Sequence, residues 1–435
     1  MKRRKFLKAT GAGFAATGLA GILAAYRAPV FAQANTVHIL RWNDFVPAAD
    51  KVLREVYVPE VQKALGIKLN VETVNANDIP ARATAAIQSG NGPDIINLLN
   101  NYPQLYASSG VDVSDIAAEI GKAQGGIYGL PQSLNTVGKQ WVAMPWSTVP
   151  AMIAYRKSWF EEIGVKEFPK TWAQYREAGK KLKAMKRPIG QTLGHTFGDA
   201  PTFAYPLMWS YGGQEIDAKG KVVLDSKETI ASVQFMTEFW KDAHDEGGLA
   251  WDDSNNNRAF LSGDICATLN GASIYVAALN GADKFKTDKG APLHTDILHA
   301  PLPVGPKGTH PYHTAFSDMV MKYSKNTKAA KEYLRWAHTS ANYEKWIVVQ
   351  KGFAIAPTRV WEKHPMWQVD PVMLPFKTAS QTGCHMRFAG APGAKAAEAW
   401  NKYIIVDMYA QAASGKMKPE ESVKWAAGEL TKIYK

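Results

Sequence analysis

The order of the first apolar runs restricts this chain more than any other feature. Val37-His38-Ile39-Leu40-Arg41-Trp42 reads as one buried strand. A helix is predicted over 48–65, stopped by Gly66. Residues 67–74 alternate apolar and polar with period two, the periodicity of a strand. Residues 78–89 are predicted helical, with Ala and Ile on one face. Gly90-Asn91-Gly92-Pro93 is a turn, and 94–99 form a third, short strand. A helical crossover returns the chain to the same end of the sheet, so strands joined this way run parallel. The opening segment is therefore an α/β lobe around a mainly parallel sheet.

Two more strands are predicted at 141–145 and 151–155. From Lys157 the pattern turns helical, over 159–163, 171–185, 202–211 and 227–246. Thr171 follows Pro169 and precedes Gln174 by three residues, the spacing of a capping box. Strands return at 265–269, 296–301 and 319–321, before helices at 325–340 and 341–350 and a helical tail over 394–434. Strands that reappear after a helical middle point to a chain that crosses between two lobes more than once. The expected first lobe comprises 35–150 and about 300–350, and the second 151–299 and about 351–435, with a hinge between them. With 435 residues, 46% of them hydrophobic, the chain has enough apolar side chains for two cores.

Residues 1–34 stand apart from this pattern. Lys2, Arg3, Arg4, Lys5 and Lys8 form a basic head, a weakly apolar stretch diluted by glycine follows, and Ala32-Gln33-Ala34 suits signal peptidase. The paired arginines resemble the twin-arginine export signal. Cleavage after Ala34 would start the mature chain at Asn35 and put it in the periplasm. The formal charge of +12 comes from 51 basic and 39 acidic residues. Residues 1–34 hold six basic side chains and no acidic one, so +6 remains on the mature chain. Its basic residues are scattered, without the stripe that nucleic acid requires.

Export would permit a disulfide between Cys266 and Cys384, but the apolar run over 265–269 favours a buried thiol. No zinc-site spacing is present. Trp251-Asp252-Asp253-Ser254-Asn255-Asn256-Asn257 has the composition of a calcium loop but lacks its glycine and terminal glutamate, and reads as a surface turn. His310 and His313 have no acidic or Cys partner at ligand spacing and read as solvated loop histidines. No G-x-S-x-G, H-E-x-x-H or phosphate-loop motif occurs.

Six segments in order carry a family resemblance. They are Ser89-Gly90-Asn91-Gly92-Pro93-Asp94-Ile95-Ile96, Tyr128-Gly129-Leu130-Pro131, and Ala154-Tyr155-Arg156-Lys157-Ser158-Trp159-Phe160 followed by Phe168-Pro169-Lys170-Thr171-Trp172. Downstream come the run from Ala259 to Ala267, Ser324-Lys325-Asn326-Thr327-Lys328-Ala329-Ala330, and Gly352-Phe353-Ala354-Ile355-Ala356-Pro357-Thr358. Together they resemble the extracellular solute-binding proteins of carbohydrate ABC importers, the maltodextrin-binding-like group. The resemblance spans 37–435. It implies two α/β lobes of the periplasmic-binding-protein type with one ligand in the cleft, ABC permease subunits as partners, a monomeric receptor, no cofactor and no catalysis. His313-Thr314-Ala315-Phe316-Ser317-Asp318 departs from the paired glycines common at that place.

A sugar offers hydroxyls to donors and acceptors, and C–H faces to aromatic rings. In open α/β sheets ligands sit beyond the carboxyl ends of the strands. Trp42 and Asp44 end the first predicted strand, Tyr102 follows the third, and Trp146 follows the strand at 141–145. Trp209 and Tyr211 precede a Gly-Gly pair, while Asn270 and Ser273 end the strand that holds Cys266. Arg387, in a glycine-rich stretch, is the candidate for an anionic ligand. The same fold serves non-sugar solutes such as glycerol phosphate or polyamine, and the mature charge favours neutral or anionic cargo over a polycation. An exported glycoside hydrolase is the competing reading, since acidic residues are plentiful.

Overall fold

The computed structural model describes residues 36–383 and 393–435. The leader at 1–34, Cys384 and Arg387 lie outside the described residues. The strands are β1 (Thr36–Trp42), β2 (Lys68–Val74), β3 (Ile95–Leu99), β4 (Thr136–Val137), β5 (Gln140–Trp141), β6 (Met144–Val149), β7 (Met152–Arg156), β8 (Ala267–Asn270), β9 (Ile297–Ala300) and β10 (Thr314–Val320). One five-stranded sheet has the order β2-β1-β3-β10-β6. A second, of three strands, has the order β8-β7-β9.

The predicted opening unit is present, with β1 parallel to both β2 and β3. Its first helix runs without interruption through Pro47–Lys51, Val52–Tyr57 and Val58–Leu65, but the middle piece is a wide π turn. Pro59 explains it. Proline has no N–H, and its ring crowds the carbonyl four residues back, which a wider turn relieves. Gly66 ends the helix with φ 67° and donates its N–H to the Gln62 carbonyl.

β10 is longer than the predicted 319–321, and all seven of its residues are buried. It lies antiparallel between β3 and β6. Its Asp318 accepts from Arg41 Nη1 at 3.1 Å and from Asn97 Nδ2 at 2.6 Å, which fastens β1, β3 and β10 together. The second lobe has a matching pair. Asp296 accepts from Arg156 Nε at 2.8 Å, from Ser158 N at 2.6 Å and from Ser158 Oγ at 2.7 Å. Buried charges of this kind persist because their partners saturate them.

The second sheet departs from the mainly parallel arrangement expected of each lobe, since β7 is antiparallel to both β8 and β9. Several helices, including Trp172–Ala184, Asp199–Tyr211 and Lys227–Ala243, separate β7 from β8. So long an excursion does not impose the parallel return of a single crossover helix. The capping box forms as predicted: Thr171 Oγ1 accepts from Gln174 N at 3.2 Å, and Gln174 Oε1 accepts from Thr171 N at 3.2 Å.

Three crossings join the lobes. Only Pro150 and Ala151 separate β6 from β7, and 301–313 lead back from β9 to β10. The third crossing lies in the segment that follows the helix Ser340–Ile347. Ile355 exchanges backbone hydrogen bonds with Thr148 at 2.8 and 2.9 Å, and Trp361 Nε1 donates to Gln124 in the first lobe. The free edge of β6 thus holds this segment. Contact with the second lobe is made at Lys351, which donates to Asn280, at Asp370, which accepts from Tyr275, and at Phe376, packed on His299. His313 is not a solvated loop residue. It is buried at the crossings, accepts from Ala151 N at Nδ1 (3.1 Å) and meets the Ala379 carbonyl through Nε2 (2.9 Å). Burial lowers its pKa to about 4, so the neutral ring holds these bonds. Cys266 is a buried free thiol.

Candidate functional site

The carboxyl end of β1 and the start of β10 face the end of β8 across a cleft. Trp42 is the last residue of β1, and its ring stacks on Phe316 of β10 at 4.6 Å and 13°. Phe45, Phe197 and Phe353 surround it, with centroids 5.5, 6.0 and 6.4 Å away. Asp199, Asp253, Asn270 and Ser273 of the second lobe line the same cavity. Gly271 also lines it, where a Cβ would come within 2.7 Å of Val149 and 3.1 Å of the Phe353 ring. The enclosed space is about 30 Å³ in this conformation. That is room for about one water molecule rather than a sugar ring, so a ligand enters only if the lobes part or Phe197 moves.

Phe197 is where the lobes grip one another. Its N–H is donated to Asn77 Oδ1 and its carbonyl accepts from Asn100 Nδ2, each at 3.1 Å. On its other side lies an open cavity of about 530 Å³, lined by Asn77, Gln88, Tyr102, Asn401 and Tyr403 among others. Tyr102 donates its hydroxyl to Asn401 Oδ1 at 2.9 Å.

The polar wall is tightly organised. Asn270 Nδ2 donates to Asn257 at 2.7 Å, Asn257 Nδ2 to Ser273 at 3.0 Å, and Ser273 Oγ to Asn270 Oδ1 at 3.0 Å, a closed ring of bonds. Asp253 accepts from the backbone N–H groups of Gly198 (3.0 Å) and Asp199 (2.8 Å). Asp199 accepts from Asn256 at 2.6 Å. Burial, and then the Asp253 charge, push the Asp199 carboxyl well above the usual carboxylate range. Burial raises Asp253 to about 6, against the hydrogen bonds that lower it.

Among the residues singled out from sequence, Trp42, Asn270 and Ser273 come together in the inner cavity, and Tyr102 lines the outer one. Asp44 does not reach either. It accepts from Val46 N and from Gln350 Nε2, and Phe45 reaches the cavity instead. Trp146 does not follow its strand but lies inside β6. It is fully buried against Trp346, Tyr343 and His338, with the Arg41 guanidinium over its ring. Trp209 is buried within the helix Asp199–Tyr211 beside Tyr205, and Tyr211 packs on Phe235. Arg387 lies outside the described residues. Phe197, Phe316, Phe353, Asp199 and Asp253 were missed. Asp253 belongs to the run read as a surface turn, but its side chain turns inward to backbone donors. The departure at His313–Asp318 was the one visible signal for Phe316. Among the described residues, no three His, Cys, Asp or Glu side chains are grouped to hold a metal ion.

Residues 47–344 match the family of bacterial extracellular solute-binding proteins. This chain belongs to that family. A probable ABC transporter-binding protein of Deinococcus radiodurans is 26% identical over 228 residues, 50% of this chain and 52% of that protein. The diacetylchitobiose binding protein DasA of Streptomyces coelicolor is 32% identical over 140 residues, 30% of this chain and 32% of that one. The chain thus matches about half the length of the first relative and a third of the second. Among solved structures, maltose-bound MalE3 of T. maritima superposes with TM-score 0.77 at 20% identity, over 92% of this chain and 99% of that one. A solute-binding protein of Agrobacterium radiobacter K84 in complex with ribitol gives 0.73 at 19% identity, over 92% and 98%. At such identities the structures establish the two-lobed fold. No helix among the described residues is long and apolar enough to cross a membrane.

Proposed function

We propose that this chain is the exported receptor of an ABC importer, and that its cargo is a small sugar or polyol delivered to the permease subunits. The observation that carries the reading is the opposition of two walls. The Trp42 platform stands at the carboxyl end of β1, and the Asn257–Asn270–Ser273 ring of hydrogen bonds faces it from the other lobe. Aromatic faces match sugar C–H surfaces, and the polar ring matches hydroxyls. Relatives crystallised with maltose and ribitol support the same class of ligand. Closure over the ligand follows from contacts made by both lobes, so the ligand favours the closed form through its differential affinity. In this reading the twin-arginine machinery exports the chain, cleavage after Ala34 releases it to the periplasm, and it acts there as a monomer.

A thermal-shift screen of residues 35–435 against sugars, sugar alcohols, glycerol phosphates and polyamines tests this. A ligand at a hundred times its Kd stabilises the fold by about 2.7 kcal/mol. A sugar or polyol that shifts the melting point and is recovered intact supports the receptor. A hydrolysed sugar, or a shift with phosphates alone, overturns the reading.

A further inference from the structure

The charge inside the inner cavity opposes that of the chain. The mature chain is basic, yet the cavity lining contains two carboxylates, Asp199 and Asp253, and no Lys or Arg among the described residues. Resting on the receptor reading above, we propose that the ligand is an amino sugar or amino alcohol, whose protonated amine sits between the aromatic rings and the Asp199 carboxylate.

The two acids are not equivalent. Asp253 is buried, with one backbone N–H on each oxygen, and stays ionised as a fixed acceptor. Asp199 gives one oxygen to Asn256, while its other oxygen has no hydrogen-bond partner among the described residues. Among the described residues that line the cavity, none adds a counter-charge to this pair, and Arg258 acts on the neighbouring Asp252. Asp252 is a third acid, held by Ser254 and Asn255, and Tyr403 is neutral. Two adjacent carboxylates in so small a cavity disfavour each other's charge, so Asp199 holds its proton more tightly than a lone carboxyl until a cation arrives. A neutral sugar leaves that proton in place. An ammonium group displaces it: the Asp199 O–H bond breaks, the proton passes to solvent, and the carboxylate pairs with the ammonium. Trp42, Phe45, Phe197 and Phe316 supply ring faces and edges around the same point, and ring faces attract cations. An acidic sugar would place a further negative charge beside the ionised Asp253.

The test uses matched ligands: glucosamine, glucose and glucuronate, then 1-amino-1-deoxysorbitol and sorbitol. Calorimetry on residues 35–435, in buffers of different ionisation enthalpy, reads affinity and proton exchange together. The amine of each set is expected to bind at least 10-fold tighter than its neutral partner, with net proton release. Its affinity should rise with pH while Asp199 still holds its proton. Asp199→Asn keeps an acceptor for Asn256 and should abolish both preference and proton release. Equal or tighter binding of glucose or sorbitol, or amine binding without proton release by the unaltered protein, overturns the inference and leaves the receptor intact. If none of the five binds, the sugar and polyol reading itself fails, and this inference with it.

Discussion

The two walls of the cleft are built from different parts of the fold and have opposite chemistry. The first lobe presents rings: Trp42 at the end of β1, Phe45 in the turn after it, and Phe316 on β10. The second lobe presents polar groups, from the end of β8, the start of the helix Asp199–Tyr211 and the turn at Asp253. Phe197 and Phe353 are the exceptions, and both come from connecting segments. Strand ends carry side chains whose direction the pleat determines, so a stacked platform suits them. Loops and helix starts present N–H groups and short polar side chains, which suits hydroxyl and amine recognition. Neither wall alone completes a site, which makes affinity depend on closure.

Breaking the first wall should have the largest effect. Trp42→Ala removes the platform and is expected to weaken ligand binding at least 100-fold by calorimetry. Trp146→Ala sharpens the contrast, because that ring belongs to the core of the same lobe. It should cost about 3–5 kcal/mol in denaturant unfolding, with Kd unchanged within a few-fold in protein that remains folded. Breaking the second wall should cost less per residue. Ser273→Ala opens the ring through Asn257 and Asn270 and is expected to raise Kd about 10-fold, near the worth of one hydrogen bond. Equal losses at Trp42 and Ser273 would erase the proposed division of labour.

The link between the walls should respond more gently. Asn77 is exposed and holds the Phe197 N–H across the cleft. Asn77→Ala should shift the ligand-free protein toward the open form, seen as a larger radius of gyration by solution scattering, and weaken binding a few-fold. An unchanged radius would mean that this bond does not hold closure.

The smallest expected effect is a pH dependence. His313 at the crossings has a pKa of about 4, and His244 and His299 in the second lobe lie at about 3, each lowered first by burial. A histidine whose folded value is depressed is protonated first in the unfolded chain. Its stabilisation is complete above about 6.5 and is lost as pH falls through the folded value. Taken alone, these three rings therefore withdraw stability as pH falls from 7 to 5. Buried Glu215 acts in the opposite sense. Burial raises it to about 8, so the folded state keeps a proton that the unfolded chain releases. Glu215→Gln should accordingly gain stability relative to the parent as pH rises from 4.5 to 8.

Local pattern determined the opening β1–β2–β3 unit, the Thr171 capping box, the stop at Gly66 and the position of Trp42 at a strand end. In each, the cause is a period, a cap or a turn within a few residues, so a single sequence carries it. The antiparallel second sheet, and the placing of Trp146 in the core and Phe197 in the cleft, were decided by tertiary structure. Trp146 shows why: an offset of a few residues at the start of β6 changed a strand-end ring into one in the middle of a strand. Phe197 and Asp253 lie 56 residues apart, and only the folded chain brings them to one cavity. An aromatic ring buried in a core and one lining a cleft obey the same hydrophobic rule, and the sequence holds no local mark that separates them.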